Sequence, residues 1–165
     1  MTKEPDPSFN VIVDTREKNP WQLTSSCIRD TIYKKIDAGD YTVEGLEDIL
    51  CIERKMSVAE IAQNVTTKRF VKALERMSEC RFKYLLLEAT LDDVINYPKG
   101  ADLPPKALER VRITGGYVLR CINRMEVKYG IHFIFCGNRY NASWVATNIM
   151  KEAVRIIDNE TKNKN

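Results

Sequence analysis

Between residues 39 and 55 the chain carries an aspartate, a glutamate and a lysine at spacings that suit phosphodiester chemistry: Gly39-Asp40-Tyr41, then Cys51-Ile52-Glu53-Arg54-Lys55. The run Ile49-Leu50-Cys51-Ile52 is short and apolar, as expected of a buried strand. Side chains alternate along a strand, so Glu53 and Lys55 share a side and Arg54 points away. Two carboxylates and an ammonium gathered at one spot are costly unless a divalent cation or a phosphate lies between them. Carboxylates that hold Mg2+ or Mn2+ polarise a phosphate and activate water, while a lysine steadies the negative charge that develops. Glu-Arg-Lys is also an ordinary surface tripeptide. Its place at the end of an apolar strand, and not on a solvated helix face, favours the chemical reading.

A second charged cluster follows the same rule. Phe9-Asn10-Val11-Ile12-Val13 leads directly into Asp14-Thr15-Arg16-Glu17, and active-site groups gather at strand ends. The plain alternative is a strand that runs into a polar loop. Glu88 closes a third apolar run, Tyr84-Leu85-Leu86-Leu87, where it would either line a cleft or pair with a nearby arginine.

Taken together, Val13-Asp14-Thr15-Arg16-Glu17, Gly39-Asp40-Tyr41 and Ile52-Glu53-Arg54-Lys55 resemble the XPF/Hef-type nuclease domain, a branch of the PD-(D/E)xK nucleases. The three motifs stand in the family's order, and the resemblance covers the chain from about Val11 to the C-terminal helix. With Arg69-Phe70 and Leu85-Leu86-Leu87-Glu88 following, the chain is most similar to compact phage and bacterial versions. The resemblance implies an α/β fold with a central mixed sheet flanked by helices, restriction-endonuclease-like. It implies a Mg2+-dependent (or Mn2+-dependent) endodeoxyribonuclease that cuts branched or flap-like DNA in repair, recombination or replication. Asp40 and Glu53 would bind metal, with Asp14 and Glu17 adding an outer-shell water or a second ion, and Lys55 would be catalytic. Arg16, Arg54 and Arg69 would hold phosphates of the scissile strand. A homodimer or a protein partner is a further implication, with the last helix as a candidate interface.

One position departs from the family's pattern. An aspartate often stands four residues after the lysine, and here that residue is Ala59, followed by Glu60. Glu60 could substitute, but Ser57-Val58-Ala59-Glu60 also fits a helix-capping box, which is the favoured reading.

The elements that must position these groups alternate between strand and helix periods, the mark of an α/β sandwich. Helical spacing appears over 57–65, again after Thr66-Thr67 with Phe70, Leu74 and Met77 inward, from Gly115 to Gly130, and from Ala142 to Ile157. Strands are expected at 9–13, at 39–55 as a two-strand excursion, at 83–90 and at 131–136. The segment with Trp21 and Cys27 reads as loop. Lys72 and Arg76 read as a solvated helix face, and Arg110, Arg112, Arg120 and Arg124 as either a basic flank for DNA or surface charge.

At 165 residues, 44% apolar and 30% charged, the chain has the makings of one globular domain over 9–158, with 1–8 and 159–165 expected to be disordered tails. A net charge of +3 argues little by itself for nucleic acid. Five scattered cysteines without a C-x-x-C pair read as reduced thiols in an intracellular, soluble protein: bacterial or phage-infected cytoplasm, or a nucleus. One histidine, His132, leaves a zinc centre or a histidine-based nucleophile without ligands or partners. No apolar run approaches the ~18 residues of a membrane span. Two rivals stand beside the nuclease: a non-catalytic DNA-binding or scaffold module of the same fold, and an RNA-directed nuclease.

Overall fold

The computed structural model describes residues 6–164. Six strands form one mixed sheet: β1 (Phe9–Val13), β2 (Ile28–Tyr33), β3 (Tyr41–Val43), β4 (Leu50–Lys55), β5 (Phe82–Leu87) and β6 (His132–Phe135). Their order across the sheet is β2-β1-β3-β4-β5-β6. β3 runs antiparallel to both β1 and β4, whereas β4, β5 and β6 are mutually parallel, as are β1 and β2. This is the mixed α/β sheet expected of a restriction-endonuclease-like fold.

Helices cover both faces. On one lie α1 (Val58–Asn64), α2 (Lys68–Ser78), α3 (Leu91–Asn96), the single turn α4 (Pro105–Leu108) and α5 (Gly115–Tyr129). Their apolar stripes meet Cys51, Leu85 and Leu87 of the sheet in one buried cluster. On the other face, α6 (Arg139–Lys162) lays Ala142, Ala146, Met150 and Ala153 over Leu50, Ile52 and Leu86. Small residues on the inward side of α6 let the long helix sit close to the strands. The partition reads β4 directly: Cys51 faces the five-helix layer, and Leu50 and Ile52 face α6.

Helix starts follow local chemistry. Ser57, Thr67 and Thr114 each accept a hydrogen bond from the third residue beyond, and Thr90 with Asp93 forms a reciprocal capping box. Gly130 closes α5 in the left-handed region.

Two boundaries differ from those read in the sequence. The segment read as loop around Cys27 contains β2, an edge strand whose residues are all exposed or half-buried, so it lacks the apolar alternation that betrays a strand. The last helix begins at Arg139, capped by Asn138, and runs to Lys162, so residues 159–162 are helical where a tail was expected. The expected tail over 1–5 and the last residue, 165, lie outside the described residues. Among those described, no helix is long and apolar enough to cross a membrane.

Candidate active site

Asp40 is placed by a backbone knot at the sheet's centre. Its N–H donates to the Ile52 carbonyl at 2.8 Å, and its carbonyl accepts from the Asp14 N–H at 2.8 Å. Gly39 makes this possible. With φ at +74°, its backbone lies so near β4 that a Cβ would meet the Ile52 carbonyl oxygen at 2.8 Å. The Asp40 side chain then turns back over β4, where its Oδ2 accepts the Arg54 N–H at 2.8 Å.

Period two on β4 does the rest. Glu53 and Lys55 project to the five-helix face, and Lys55 Nζ donates to Glu53 Oε1 at 2.7 Å. Phe70 of α2 lies 5.3 Å beneath the ammonium, and Glu60 of α1 is 3.6 Å away. Asp40, Glu53, Lys55 and Glu60 line a cleft of about 420 Å³, with Arg16, Arg69 and Arg76 on its rim. Burial first, and the Glu53 charge second, push the Asp40 carboxyl up to about 8, against the pull of the Arg54 N–H and the Lys55 ammonium. Lys55 moves the other way from what burial would do: Glu53, Glu60 and Asp40 outweigh desolvation and raise it. The cleft thus gathers more negative charge than its lysine neutralises.

Asp14 is not part of this crowd. Its carboxylate accepts four donors, namely Arg16 N and Nε at 2.7 Å, Arg16 Nη2 at 2.8 Å and Ile36 N at 3.0 Å. Burial would raise it, but these bonds prevail and hold it near 2. With its oxygens taken by these donors, Asp14 clamps Arg16. Arg16 remains half exposed at the cleft mouth, oriented before any ligand arrives.

Arg54 departs from its expected role. Its side chain is 1% exposed on the α6 face, paired with Glu88 Oε1 at 2.7 Å and with Glu17 Oε1 at 3.5 Å. It further donates to the Asn19 carbonyl and lies over the Trp21 ring, whose Nε1 binds the same Glu88 oxygen at 2.6 Å. A guanidinium enclosed in this way reaches no phosphate. It braces the end of β4 from behind. Of the two roles left open for Glu88, pairing with an arginine is the one adopted. Glu17 divides its duties, bonding the Asn19 N–H at 2.9 Å while lining the cleft.

Arg69 is exposed and lines the cleft. Two other residues are better placed than their sequence context implied. Glu60 is both cap and cleft residue: its N–H binds Ser57 Oγ, and its carboxylate takes the Met56 N–H at 2.8 Å while approaching Lys55. Arg76, read as solvated, donates Nε to the Asp37 carbonyl at 2.8 Å and joins the rim. The clue to Arg76 was its helical spacing of seven from Arg69, two turns along one side of α2.

The five cysteines are buried as free thiols.

Comparison with known proteins gives the same frame. The ERCC4 domain family matches residues 13–147. No curated protein matches the chain. Among solved structures, XPF from Aeropyrum pernix superposes with a TM-score of 0.66 at 17% identity, over 93% of this chain and 69% of that one. XPF from Aeropyrum pernix in complex with DNA gives 0.65 at 18% identity, over 89% of this chain and 66% of that one. The family match takes in the strand ends that carry Asp14, Asp40, Glu53 and Lys55, and it spans most of the sheet that holds them. The chain belongs to the ERCC4-domain family, the XPF-type nuclease domains.

Proposed function

We propose that the chain is a divalent-metal-dependent endodeoxyribonuclease that cuts branched or flap-like DNA inside the cell. The observation that carries this reading is the delivery of Asp40, from the bend before β3, and Glu53, from β4, into one cleft beside Lys55. The donor set suits Mg2+ or Mn2+, being hard oxygens with an excess of negative charge. Among the described residues, no three His, Cys, Asp or Glu side chains close on a common point. An ion held by Asp40 and Glu53 would therefore keep several waters and share the rest of its shell with a phosphate, and it would supply Lewis acidity and an acidified water.

The remaining steps belong to the side chains. Lys55, with its proton secured by Glu53, faces the place where negative charge builds on the phosphorane. Arg16 and Arg69 on the rim hold neighbouring phosphates, contacts that position a strand without reading its sequence. Arg76 extends that rim. Glu60 adds a second carboxylate 3.6 Å from the lysine ammonium. The DNA-bound state of one similar structure supports nucleic acid as the substrate class. Reduced thiols support an intracellular setting.

The test is incubation of the full chain with labelled flap, fork, splayed-arm and four-way DNA, with and without magnesium. The expected result is cleavage that requires magnesium and vanishes in Asp40→Asn and Lys55→Ala while DNA binding persists. Cleavage in EDTA, or in both variants, overturns the assignment. Binding without cleavage of any substrate points instead to a non-catalytic module, and matched RNA cut equally well would widen the substrate class.

A further inference from the structure

The chain's positive charge is not spread over its surface. Residues 99–128 contain seven lysines and arginines against three acids, a net charge of +4, whereas the rest of the chain holds 19 against 20, a net of −1. The excess therefore resides in one stretch made of α4, the loop after it, and α5.

Helix geometry gathers that charge. Val118, Cys121, Ile122 and Met125 bury one side of α5 in the core, leaving Tyr117, Arg120, Arg124 and Lys128 along the other, all exposed. Steps of three and four residues stack these four on one ridge, ~16 Å long at 1.5 Å per residue. Tyr117 lies near enough to Arg120 and Arg124 for its hydroxyl to feel both charges. Arg110 and Arg112, exposed after α4, sit on a segment whose Val111 and Ile113 pack against the same core. None of these four arginines has an ion pair among the described residues, and the acid that bears on Lys128 is Glu75 of α2. Self-repulsion of this kind is unfavourable without a polyanion to relieve it.

The ridge lies on the same side of the sheet as Lys55. α5 packs against α2, the helix that also carries Arg69 and Arg76 of the cleft, so the ridge and the cleft lie on neighbouring helices. Packed helix axes stand ~8–10 Å apart. We propose that Arg110, Arg112, Arg120 and Arg124 form a phosphate-binding track for a duplex arm of the substrate, outside the cleft and indifferent to base sequence. The track rests on the nuclease reading only for what happens at its inner end. Its own content is affinity and salt dependence.

The experiment is fluorescence anisotropy of the full chain, without divalent metal, on a labelled ~20-bp duplex across 50–200 mM salt. Arg120→Gln/Arg124→Gln should bind about tenfold more weakly at the low-salt end, with the slope of log affinity against log salt shallower by about 2. Arg110→Gln/Arg112→Gln, changed on a separate segment, should behave alike and guards against a folding artefact in the first pair. Arg29→Gln, exposed on the edge strand β2, should leave affinity and slope unchanged. Equal affinity and slope in both double variants overturn the track, as does a loss confined to one duplex sequence or matched by Arg29→Gln. Wild-type cleavage with no change in the double variants sinks the track and leaves the nuclease standing; weakened binding by a chain that cuts nothing does the reverse.

Discussion

The end of β4 presents two charged, largely buried clusters, one on each face of the same three residues. Behind the strand, Arg54 is answered by Glu88, Glu17, the Asn19 carbonyl and the Trp21 ring. In front of it, Asp40, Glu53 and Glu60 share a single ammonium. The rear cluster sets one guanidinium against two carboxylates and its donors have partners, the condition under which a buried ion pair is tolerated. The front cluster sets one ammonium against three carboxylates in the wall of a cleft, and burial there pushes Asp40 towards its protonated form. Polar groups that are satisfied hold a structure together, whereas like charges crowded in a cleft mark a candidate functional site. Charge type alone does not separate the two, since both consist of carboxylates and one cation.

Substitutions should therefore give opposite signatures on the two faces. The largest effect is expected in front: Asp40→Asn or Lys55→Ala should lower the cleavage rate by about 10⁴-fold, near 5.4 kcal/mol. The same Asp40→Asn should not lower, and should raise, the denaturation midpoint of the metal-free protein, because it removes a crowded carboxylate. A destabilised Asp40→Asn would erase the contrast. Behind the strand, Glu88→Ala leaves the Arg54 guanidinium buried and short of its main partner, and is expected to cost about 3–5 kcal/mol in urea unfolding. Stability at the level of wild type in Glu88→Ala would show that the rear cluster is dispensable.

Acid and base should sharpen the comparison further. Asp40 sits at about 8 in the folded chain against an ordinary 3.8. The folded form thus holds a proton that the unfolded form has released, and its stabilising effect, full below pH ~4, drains away as pH rises through ~8. Asp14, held near 2, acts in the opposite sense, with stability present above pH ~4 and lost as pH falls through ~2. Melting curves at pH 5 and pH 8 should show the metal-free protein losing stability at the higher pH, a loss that Asp40→Asn abolishes. Millimolar magnesium should raise the melting temperature more at pH 8 than at pH 5, because at the lower pH it must displace a proton. The smallest effect is expected far from either cluster: Thr114→Ala removes the α5 cap for about 1 kcal/mol without changing cleavage.

Much of this was legible in the residues because the strand period is rigid. Once β4 is recognised as a strand, Glu53 and Lys55 must share a side and Arg54 must oppose them, and the cluster membership of Cys51 and Ile52 agrees. Asp40 was legible through its glycine and the strand that follows. The partners of Asp14 and Arg54 were not, because an acid's or an arginine's partners come from elements distant in sequence: Ile36 lies 22 residues from Asp14, and Glu88 lies 34 from Arg54. β2 escaped notice since an exposed edge strand has no buried face to impose alternation. Glu60 was half read, because a capping signal is local and the lysine it approaches is supplied by the preceding strand.

The glycine before Asp40 has a consequence for how competence is judged among chains of this fold. It bears no charge and takes no proton, yet a Cβ there would meet the Ile52 carbonyl oxygen at 2.8 Å, so any side chain must shift the turn that carries the aspartate. A sequence could keep every acid and the lysine and still be silenced by one added methyl group. Counting carboxylates would pass such a chain as armed, whereas the hinge beneath them decides whether they ever meet.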